Sequence, residues 1–234
     1  MDINALQLES RFSLPPNSLG YCGKNTAPER FKKCIIKGEC EGVEDEVKKF
    51  IVLHPYLQTI AKITSLPMFS YKVIESYWLG NDELKKAKLK DYDFLLDKFL
   101  EQGVPDFFVA DLRKNKPKSF IPSHLFQVLH VGVGKASGAV PFNIESINNC
   151  MIRWGKVMTV KKDKAVVNLN SLKLEKGGYS LIKIKETVPF NAKLLPGLKT
   201  GDIVAVHWNM VVKILMKDEV KKIKFWTTKC LTLF

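Results

Sequence analysis

The sequence predicts an α+β protein in which an all-helical domain, residues 1–143, precedes a small β-barrel domain, residues 144–234, that ends in a helix. Two observations carry this prediction. The spacing of apolar residues changes from a helical period to short β-prone runs near residue 150. The charge changes at the same place, because residues 1–149 hold 20 basic and 18 acidic side chains whereas residues 150–234 hold 17 and 6. A joint change of period and charge is typical of a domain boundary.

Helical periodicity dominates the first half. One helix is predicted directly after Ala27, because Pro28 suits the first turn of a helix, and a second apolar stripe begins at Val43. Asp91 is expected to cap a third helix, and a fourth is expected to start at Pro122–Ser123. Segments that are typical of turns separate these helices: Leu14–Asn17, Gly80–Asp82 and Lys114–Lys118.

Short β-prone runs follow residue 150, and turn residues such as those at 176–178 and 200–202 separate them. Five or six strands at this spacing favour a small barrel. The helical spacing of Lys217–Lys229 predicts a C-terminal helix. The predicted strands lie at Met158–Val160, Ala165–Leu169, Ser180–Ile184 and Ile203–Val206.

Composition restricts the environment in which the protein works. No apolar run approaches the roughly 20 residues that a membrane-spanning helix needs. The start, Met1–Glu9, lacks the cationic and apolar segments of a signal peptide. We therefore expect a cytoplasmic protein without a membrane partner. Because the five cysteines are odd in number and a reducing cytosol disfavours disulfides, we expect all of them to be free thiols.

Two motifs in the second half bear on function. Residues 150–157 read Cys-Met-Ile-Arg-Trp-Gly-Lys-Val, and residues 201–207 read Gly-Asp-Ile-Val-Ala-Val-His. With the strand between them, these motifs resemble, in order and in spacing, the HypC/HupF family of hydrogenase-maturation chaperones. The resemblance covers about a third of the chain.

This resemblance implies a HypC/OB-like barrel and a non-enzymatic role in assembling a metal centre. Members escort the iron of nickel–iron hydrogenases, which carries cyanide and carbon monoxide, so the implied cofactor is iron and the implied partner is a metalloenzyme subunit or maturation protein. By position, the family's cysteine ligand corresponds to Cys150 and its neighbouring histidine to His207. A thiolate suits soft, low-spin iron. The cations Lys156 and Arg153 are expected to lower the pKa of the thiol and to attract cyanide.

The first half has its own signature in residues 11–23, Arg-Phe-Ser-Leu-Pro-Pro-Asn-Ser-Leu-Gly-Tyr-Cys-Gly. With Glu75–Asn81 and the Cys150 motif, it resembles an uncharacterised bacterial family that has the same helical-then-barrel order. The glycines around Tyr21 and Cys22 permit either close approach of a ligand or a rigid turn around a packed tyrosine.

His130 precedes the glycine-containing segment Val131–Gly134, which is suited to lining a cleft. We therefore add Cys22 and His130 to the candidate metal ligands, and Tyr21 and Trp208 to the candidate binding residues.

Two alternative functions stay open. The basic second half favours nucleic acid as a partner, with Trp154, Trp208 and Phe225 stacking on bases, although only four of the 37 basic residues are arginine. The other alternative is an enzyme with a pocket between the two domains. Nucleotide hydrolysis through a phosphate loop is excluded, because the first glycine of that motif is absent before Gly134–Lys135 and alanine follows the lysine.

Overall fold

A computed structural model describes residues 1–23 and 27–234. It confirms the α+β class, with helices in the first half and an antiparallel sheet and a helix in the second. The helices are α1 Ile3–Ser18, α2 Pro28–Lys37, α3 Val43–Val47, α4 Leu53–Thr64, α5 Tyr71–Trp78, α6 Leu89–Glu101, α7 Asp106–Lys114, α8 His124–Phe126, α9 Ile144–Cys150 and α10 Lys217–Leu231. A 3₁₀ helix spans Asp82–Lys86, and α8 continues directly into a π-helix over Gln127–Gly132. The strands are β1 Arg153–Lys161, β2 Lys164–Glu175, β3 Gly178–Pro189, β4 Ile203–His207 and β5 Met210–Ile214.

Three local predictions in the helical half are wrong. Helix α1 runs through Pro15 and Pro16 instead of ending before them. The two prolines lie in its last turn, where their missing N–H groups leave the carbonyls of Arg11 and Phe12 without an intrahelical donor. The carbonyl of Phe12 accepts from the side chain of His207 instead. Asp91 is the third residue of α6 and accepts a hydrogen bond from the backbone N–H of Lys88, which is the true N-cap.

The third correction concerns the cysteines. Cys34 and Cys40 form a disulfide, so the prediction of five free thiols is wrong. Helix α2 ends at Gly38, whose φ of 74° lies in the left-handed region that favours glycine. The chain reverses there and brings the two cysteine Cα atoms to 4.3 Å, within reach of a bridge. Cys22, Cys150 and Cys230 are free.

The sheet has five strands in the order β3-β2-β1-β4-β5, and every neighbouring pair is antiparallel. It is an open sheet rather than the predicted closed barrel, because β3 and β5 form no hydrogen-bonded ladder within residues 27–234. Its inner face still carries a core of its own, which includes Val157, Val167 and Val204. Cys150 ends α9 instead of entering the first strand.

A second and larger core joins the two halves of the chain. It includes Phe12 and Tyr77 from the helices and Trp154 and Ala205 from the sheet. Helix α10 also returns to the helical half, where the ring of Trp226 occupies the space beside Gly80, and a Cβ atom there would lie 2.4 Å from that ring. The division at residue 143 stays a prediction.

No helix in the described part of the chain is both long enough and apolar enough to cross a membrane.

Candidate metal centre

Three buried side chains from three different elements lie close together. His207 is the last residue of β4, Cys150 is the last residue of α9, and His124 is the first residue of α8. Pairing of β1 with β4 sets Arg153 opposite Val206 and so brings the end of β4 beside the end of α9. The backbone N–H of Trp208 then donates to the carbonyl of Asn149 at 2.7 Å, which fixes the two ends together.

The donor atoms of His124, Cys150 and His207 all lie within 4.8 Å of one another. Their residues are 4%, 5% and 1% exposed. The Sγ of Cys150 is 3.8 Å from Nε2 of His124, and a tetrahedral metal would hold a sulfur and a nitrogen about 3.6 Å apart, given ordinary bond lengths. This one pair therefore has nearly the spacing that a tetrahedral ion requires.

His207 is held in the tautomer that a metal requires. Its Nδ1 lies 2.7 Å from the carbonyl oxygen of Phe12, so Nδ1 carries the proton and donates to that oxygen. Its Nε2 keeps a lone pair, is buried, and has no hydrogen-bond partner within the described residues. A backbone carbonyl that orients a ligand histidine in this way is the usual arrangement around protein-bound metals.

His124 is held by hydrogen bonds at both ring nitrogens. Its Nε2 is 2.7 Å from the carbonyl oxygen of Cys150, so Nε2 carries the proton and donates to that oxygen. Its Nδ1 is 3.0 Å from the hydroxyl of Tyr77, which also contacts the amide of Gln127, and Nδ1 accepts from that hydroxyl. His124 would bind a metal through Nε2 only after the proton moves to Nδ1 and the bond to the Cys150 carbonyl is broken.

Burial keeps this cluster uncharged. It lowers the pKa of His124 to about 4, and it lowers the pKa of His207 well below its ordinary value, with the neighbouring His124 adding to the effect. Burial also raises the pKa of the Cys150 thiol well above its ordinary value, with a smaller opposing effect from the indole N–H of Trp208. Both imidazoles are therefore neutral. Nε2 of His207 has a lone pair available for a metal, whereas Nε2 of His124 must first give up its bond to the Cys150 carbonyl. The thiol loses its proton only when a cation replaces it.

Arg153 and Lys156 do not lower the pKa of this thiol, so that prediction is wrong. The guanidinium of Arg153 pairs with the carboxylate of Glu186 at 2.8 Å and donates to Asn209. Lys156 is exposed on β1. The charge of Arg153 is neutralised and that of Lys156 is solvated, so burial decides the protonation state of Cys150.

The indole ring of Trp78 packs against both histidine rings. Its centroid lies 4.5 Å from that of His124 and 5.5 Å from that of His207. Its indole N–H donates to the carboxylate of Glu9 at 2.8 Å. Burial raises the pKa of Glu9 to about 7, although hydrogen bonds from Ser13 and Trp78 oppose the shift. The indole ring of Trp78 is therefore held in place by the carboxyl group of Glu9, whose pKa lies near neutrality.

A cavity of about 380 Å³ opens from the cluster. Tyr21, Cys22 and Trp208 line it, and the rings of Tyr21 and Trp208 lie 4.6 Å apart. Cys22 is a cavity-wall residue rather than a member of the donor cluster, and burial raises its pKa to about 12. The ring of Phe50 packs against Gly23, and a Cβ atom on residue 23 would lie 2.5 Å from that ring. This glycine is therefore required for packing.

His130 lies outside the cluster. Its Nε2 is bonded to the hydroxyl of Tyr92 at 2.8 Å, and its ring packs on Phe126. The segment that follows it, Val131–Gly134, does line the cavity as its composition indicated. Six positions separate His124 from His130, and the two side chains point to different sides, as helical geometry requires.

Sequence reasoning missed His124. The start of a helix at Pro122–Ser123 was predicted, and Ser123 does cap α8, but nothing local indicates that the next side chain turns toward the end of β4. The only signal was the resemblance itself, which left an internal Cys150–His207 pair in need of a further donor from the helical half.

The rings named for nucleic-acid stacking are mostly unavailable. Trp154 and Trp208 are buried, and of the three only Phe225, half exposed on α10, presents a face to solvent. Stacking needs accessible ring faces, so the burial of two rings weighs against this alternative.

A family of unknown function, DUF6390, has a sequence model that matches residues 3–234. No curated protein and no solved structure matches the chain.

Proposed function

The chain belongs to this family of unknown function, and from its buried donor cluster we propose that it is a metal-centre accessory protein. Cys150, His207 and His124 would bind a thiophilic metal centre as cargo and pass it to a metalloenzyme or its maturation machinery. The role is non-enzymatic.

One observation carries this proposal: Nε2 of His207 is buried with a free lone pair beside a buried thiol and a second imidazole. A buried acceptor without a partner costs about 1–3 kcal/mol. Coordination removes this cost, and a soft cation also supplies the charge that lets the Cys150 thiol ionise in an apolar environment.

The third donor links the proposal to the organisation of the chain. In the HypC/HupF pattern a short protein offers one cysteine and one histidine. Here His124 comes from the helical half and lies in the same cluster, where its Nε2 would exchange the bond to the Cys150 carbonyl for a metal. We propose that the helical half supplies a ligand that a partner protein would otherwise provide.

The more specific form of the proposal is an iron centre that carries cyanide and carbon monoxide, as the resemblance implies. The donor set suits soft, low-spin iron. The indole N–H of Trp208, which lies beside Cys150 and has no oxygen or nitrogen partner, is suited to donate to a diatomic ligand.

Cobalt binding tests the site itself. Metal-free protein is titrated with Co²⁺ without oxygen, and the thiolate-to-cobalt absorption band is followed. We expect one equivalent to bind with this band, and Cys150→Ser and His207→Gln to abolish it.

Two variants serve as matched controls. Cys230→Ser removes another buried thiol, and His54→Gln removes another histidine, whose Nδ1 contacts Gln102; neither residue lines the cavity. Both controls should keep the band. A wild-type protein without the band, or a band that survives Cys150→Ser in a variant with an unchanged melting temperature, would overturn the proposal.

Infrared spectroscopy tests the iron form. Protein purified without oxygen from cells that assemble nickel–iron hydrogenase should show cyanide and carbonyl stretches and iron by elemental analysis. A cobalt-competent protein without these bands would reject the iron–cyanide form and keep the simple metal site.

A further inference from the structure

One face of strands β1, β2 and β3 carries charge of a single sign. Residues that stand opposite each other in an antiparallel pair point to the same face of a sheet, and so do residues two positions apart along a strand. Lys156 is opposite Asn168, which is opposite Lys185, and Lys161 is opposite Lys164. Lys183 joins them, two positions before Lys185. We call this surface the lysine face, and its five exposed lysines are Lys156, Lys161, Lys164, Lys183 and Lys185.

No acidic residue of these three strands compensates the lysine face. Their two glutamates, Glu175 and Glu186, point to the opposite face, where Glu186 pairs with Arg153. None of the five lysines forms an ion pair within residues 1–23 and 27–234. In the helical half, by contrast, lysines such as Lys32 and Lys48 pair with acidic residues one turn away. The positive charge of the lysine face therefore stays available to a partner.

The arrangement of the lysines favours a partner with a broad acidic surface. Lys161 and Lys164 stand directly opposite each other, and like charges so placed destabilise a sheet. From the spacing of strands and residues, the Cα atoms of Lys156 and Lys185 are about 10 Å apart, and those of Lys183 and Lys185 about 7 Å. Several uncompensated charges at such distances create a potential that attracts an oppositely charged partner and accelerates its association.

The lysine face suits carboxylates better than nucleic acid. Arginine makes the bidentate contacts that phosphates favour, and the one arginine of these strands, Arg153, lies on the opposite face. Trp154 is on the same face as Asn170, which it stands opposite, but its ring is buried in the core shared with the helices. The face thus offers neither a guanidinium nor a ring on which a base could stack. The carboxylates of a protein need neither.

We infer that the lysine face docks an acidic surface of the protein that receives the metal. This inference rests on the proposed function, because it names the chemistry of the partner in that transfer. Lysine is strongly hydrated and is depleted from the buried cores of interfaces, so a face made of lysines speeds the encounter more than it prolongs the complex. A protein that hands over a cargo must release its partner, and a short-lived complex of this kind meets that need.

Fluorescence anisotropy with two labelled peptides tests the face on metal-free protein. Both peptides contain the same Cys-Xaa-Xaa-Cys motif, flanked by six glutamates in one and by six lysines in the other. We expect the glutamate peptide to bind about tenfold more tightly or better at low salt, and the difference to shrink as salt screens the charges. A charge-matched oligothymidylate should bind no more tightly than the glutamate peptide, because the face offers it no stacking.

Charge reversal localises the binding. The combined variant Lys156→Glu, Lys183→Glu and Lys185→Glu should lower the affinity for the glutamate peptide about tenfold or more, and the corresponding glutamine variant should lower it by a smaller factor. Both variants are compared with the wild type at equal melting temperature.

A matched control makes the same change of charge elsewhere. Lys33→Glu, Lys90→Glu and Lys114→Glu replace three exposed lysines of the helical half, and together they should lower the affinity less than about threefold, because distant charges are screened.

Cobalt transfer connects the face with the proposed function. Protein that holds one equivalent of Co²⁺ is mixed with either peptide, and the change in the thiolate-to-cobalt band is followed in time. The wild type should transfer the ion to the glutamate peptide about tenfold faster than to the lysine peptide. The ratio should fall to about one in the charge-reversed variant of the lysine face and should persist in the control.

The two proposals fail separately. A wild-type protein without a cobalt band rejects the metal site, whereas anisotropy still tests the face. Equal affinities of the charge-reversed variant and the control for the glutamate peptide overturn the lysine face as a docking surface, even if cobalt binds. Tighter binding of oligothymidylate than of the glutamate peptide would assign the face to nucleic acid, and a wild-type dimer that the charge-reversed variant dissociates would assign it to a second copy. Either result also overturns the inference.

Discussion

His207 and His130 are both largely enclosed by aromatic rings, yet they differ in what remains for a ligand. Nε2 of His130 is bonded to the hydroxyl of Tyr92, whereas Nε2 of His207 has no partner in the described residues because Phe12 holds only Nδ1. Burial lowers the pKa of both imidazoles, so burial does not distinguish them. A lone pair without a hydrogen-bond partner does distinguish the two histidines, and it identifies a candidate ligand better than burial or a perturbed pKa.

The largest expected effect compares the cluster with His130 directly. Cys150→Ser should weaken Co²⁺ binding by about 1,000-fold, or about 4 kcal/mol, because loss of a ligand costs more than loss of an outer partner, which costs 10–100-fold. His130→Gln should change the affinity less than threefold. Competition with a chromophoric chelator measures both. A similar loss in the two variants would remove the distinction between the histidines.

The second effect concerns Glu9, whose carboxylate accepts a hydrogen bond from the indole N–H of Trp78. Burial raises the pKa of Glu9 from 4.5 in the unfolded chain to about 7. The folded state therefore binds the extra proton, and the stabilisation is full below pH 4.5 and is lost as pH rises through 7. The free energy of unfolding should fall by about 2–3 kcal/mol between pH 5 and pH 8 through this group.

Glu9→Gln should remove that part of the pH dependence, because glutamine does not titrate. Urea denaturation at pH 5, 6, 7 and 8 measures the difference between the two proteins. If the free energy of unfolding changed with pH equally in the wild type and the variant, Glu9 would have an ordinary pKa.

Arg153 allows a third test, because most of its donors are already used. Arg153→Gln leaves Glu186 without its cation and should lower the free energy of unfolding by about 2 kcal/mol, below the usual cost for a buried pair because Glu186 is one-third exposed. Co²⁺ affinity should not change, since Arg153 lies outside the cluster. If Arg153→Gln weakened Co²⁺ binding without lowering the free energy of unfolding, Arg153 would contribute to the site, as the sequence first indicated.

The smallest expected effect is on the chain of hydrogen bonds behind His124. Tyr77→Phe removes the hydroxyl that orients Nδ1 and should weaken Co²⁺ binding about tenfold. Tyr92→Phe, which removes the corresponding partner of His130, is the matched control and should leave the affinity unchanged. Equal affinities in the two variants would mean that His124 needs no orientation by Tyr77.

Much of the fold was predictable because period and charge report it directly. The helical half, four of the five strands and the C-terminal helix follow from the spacing of apolar residues, whereas β5 was not placed by it. The disulfide between Cys34 and Cys40 was not predictable from an odd count of cysteines, since it depends on the chain reversal at Gly38. The two prolines in α1 show that a breaker is tolerated in a last turn.

The candidate site was predictable only in part. The register of the two motifs brings Cys150 near His207, and the structure has them in one cluster. His124 could not be found in this way, because its approach to β4 depends on how α8 packs in a core of many residues. Its contact with the Cys150 backbone spans 26 positions, and no local pattern specifies such a contact.

The hydrogen bond between Phe12 and His207 joins residues that are 195 positions apart. A ribosome that adds about 5–20 residues per second therefore needs on the order of ten seconds or more between the synthesis of α1 and that of the histidine it orients. His124 and Cys150 are themselves made within that interval, and they lack His207 until the strand that carries it has been synthesised. In the proposed metal site, an ion bound before that moment would have only two of its three protein donors and would be held more weakly.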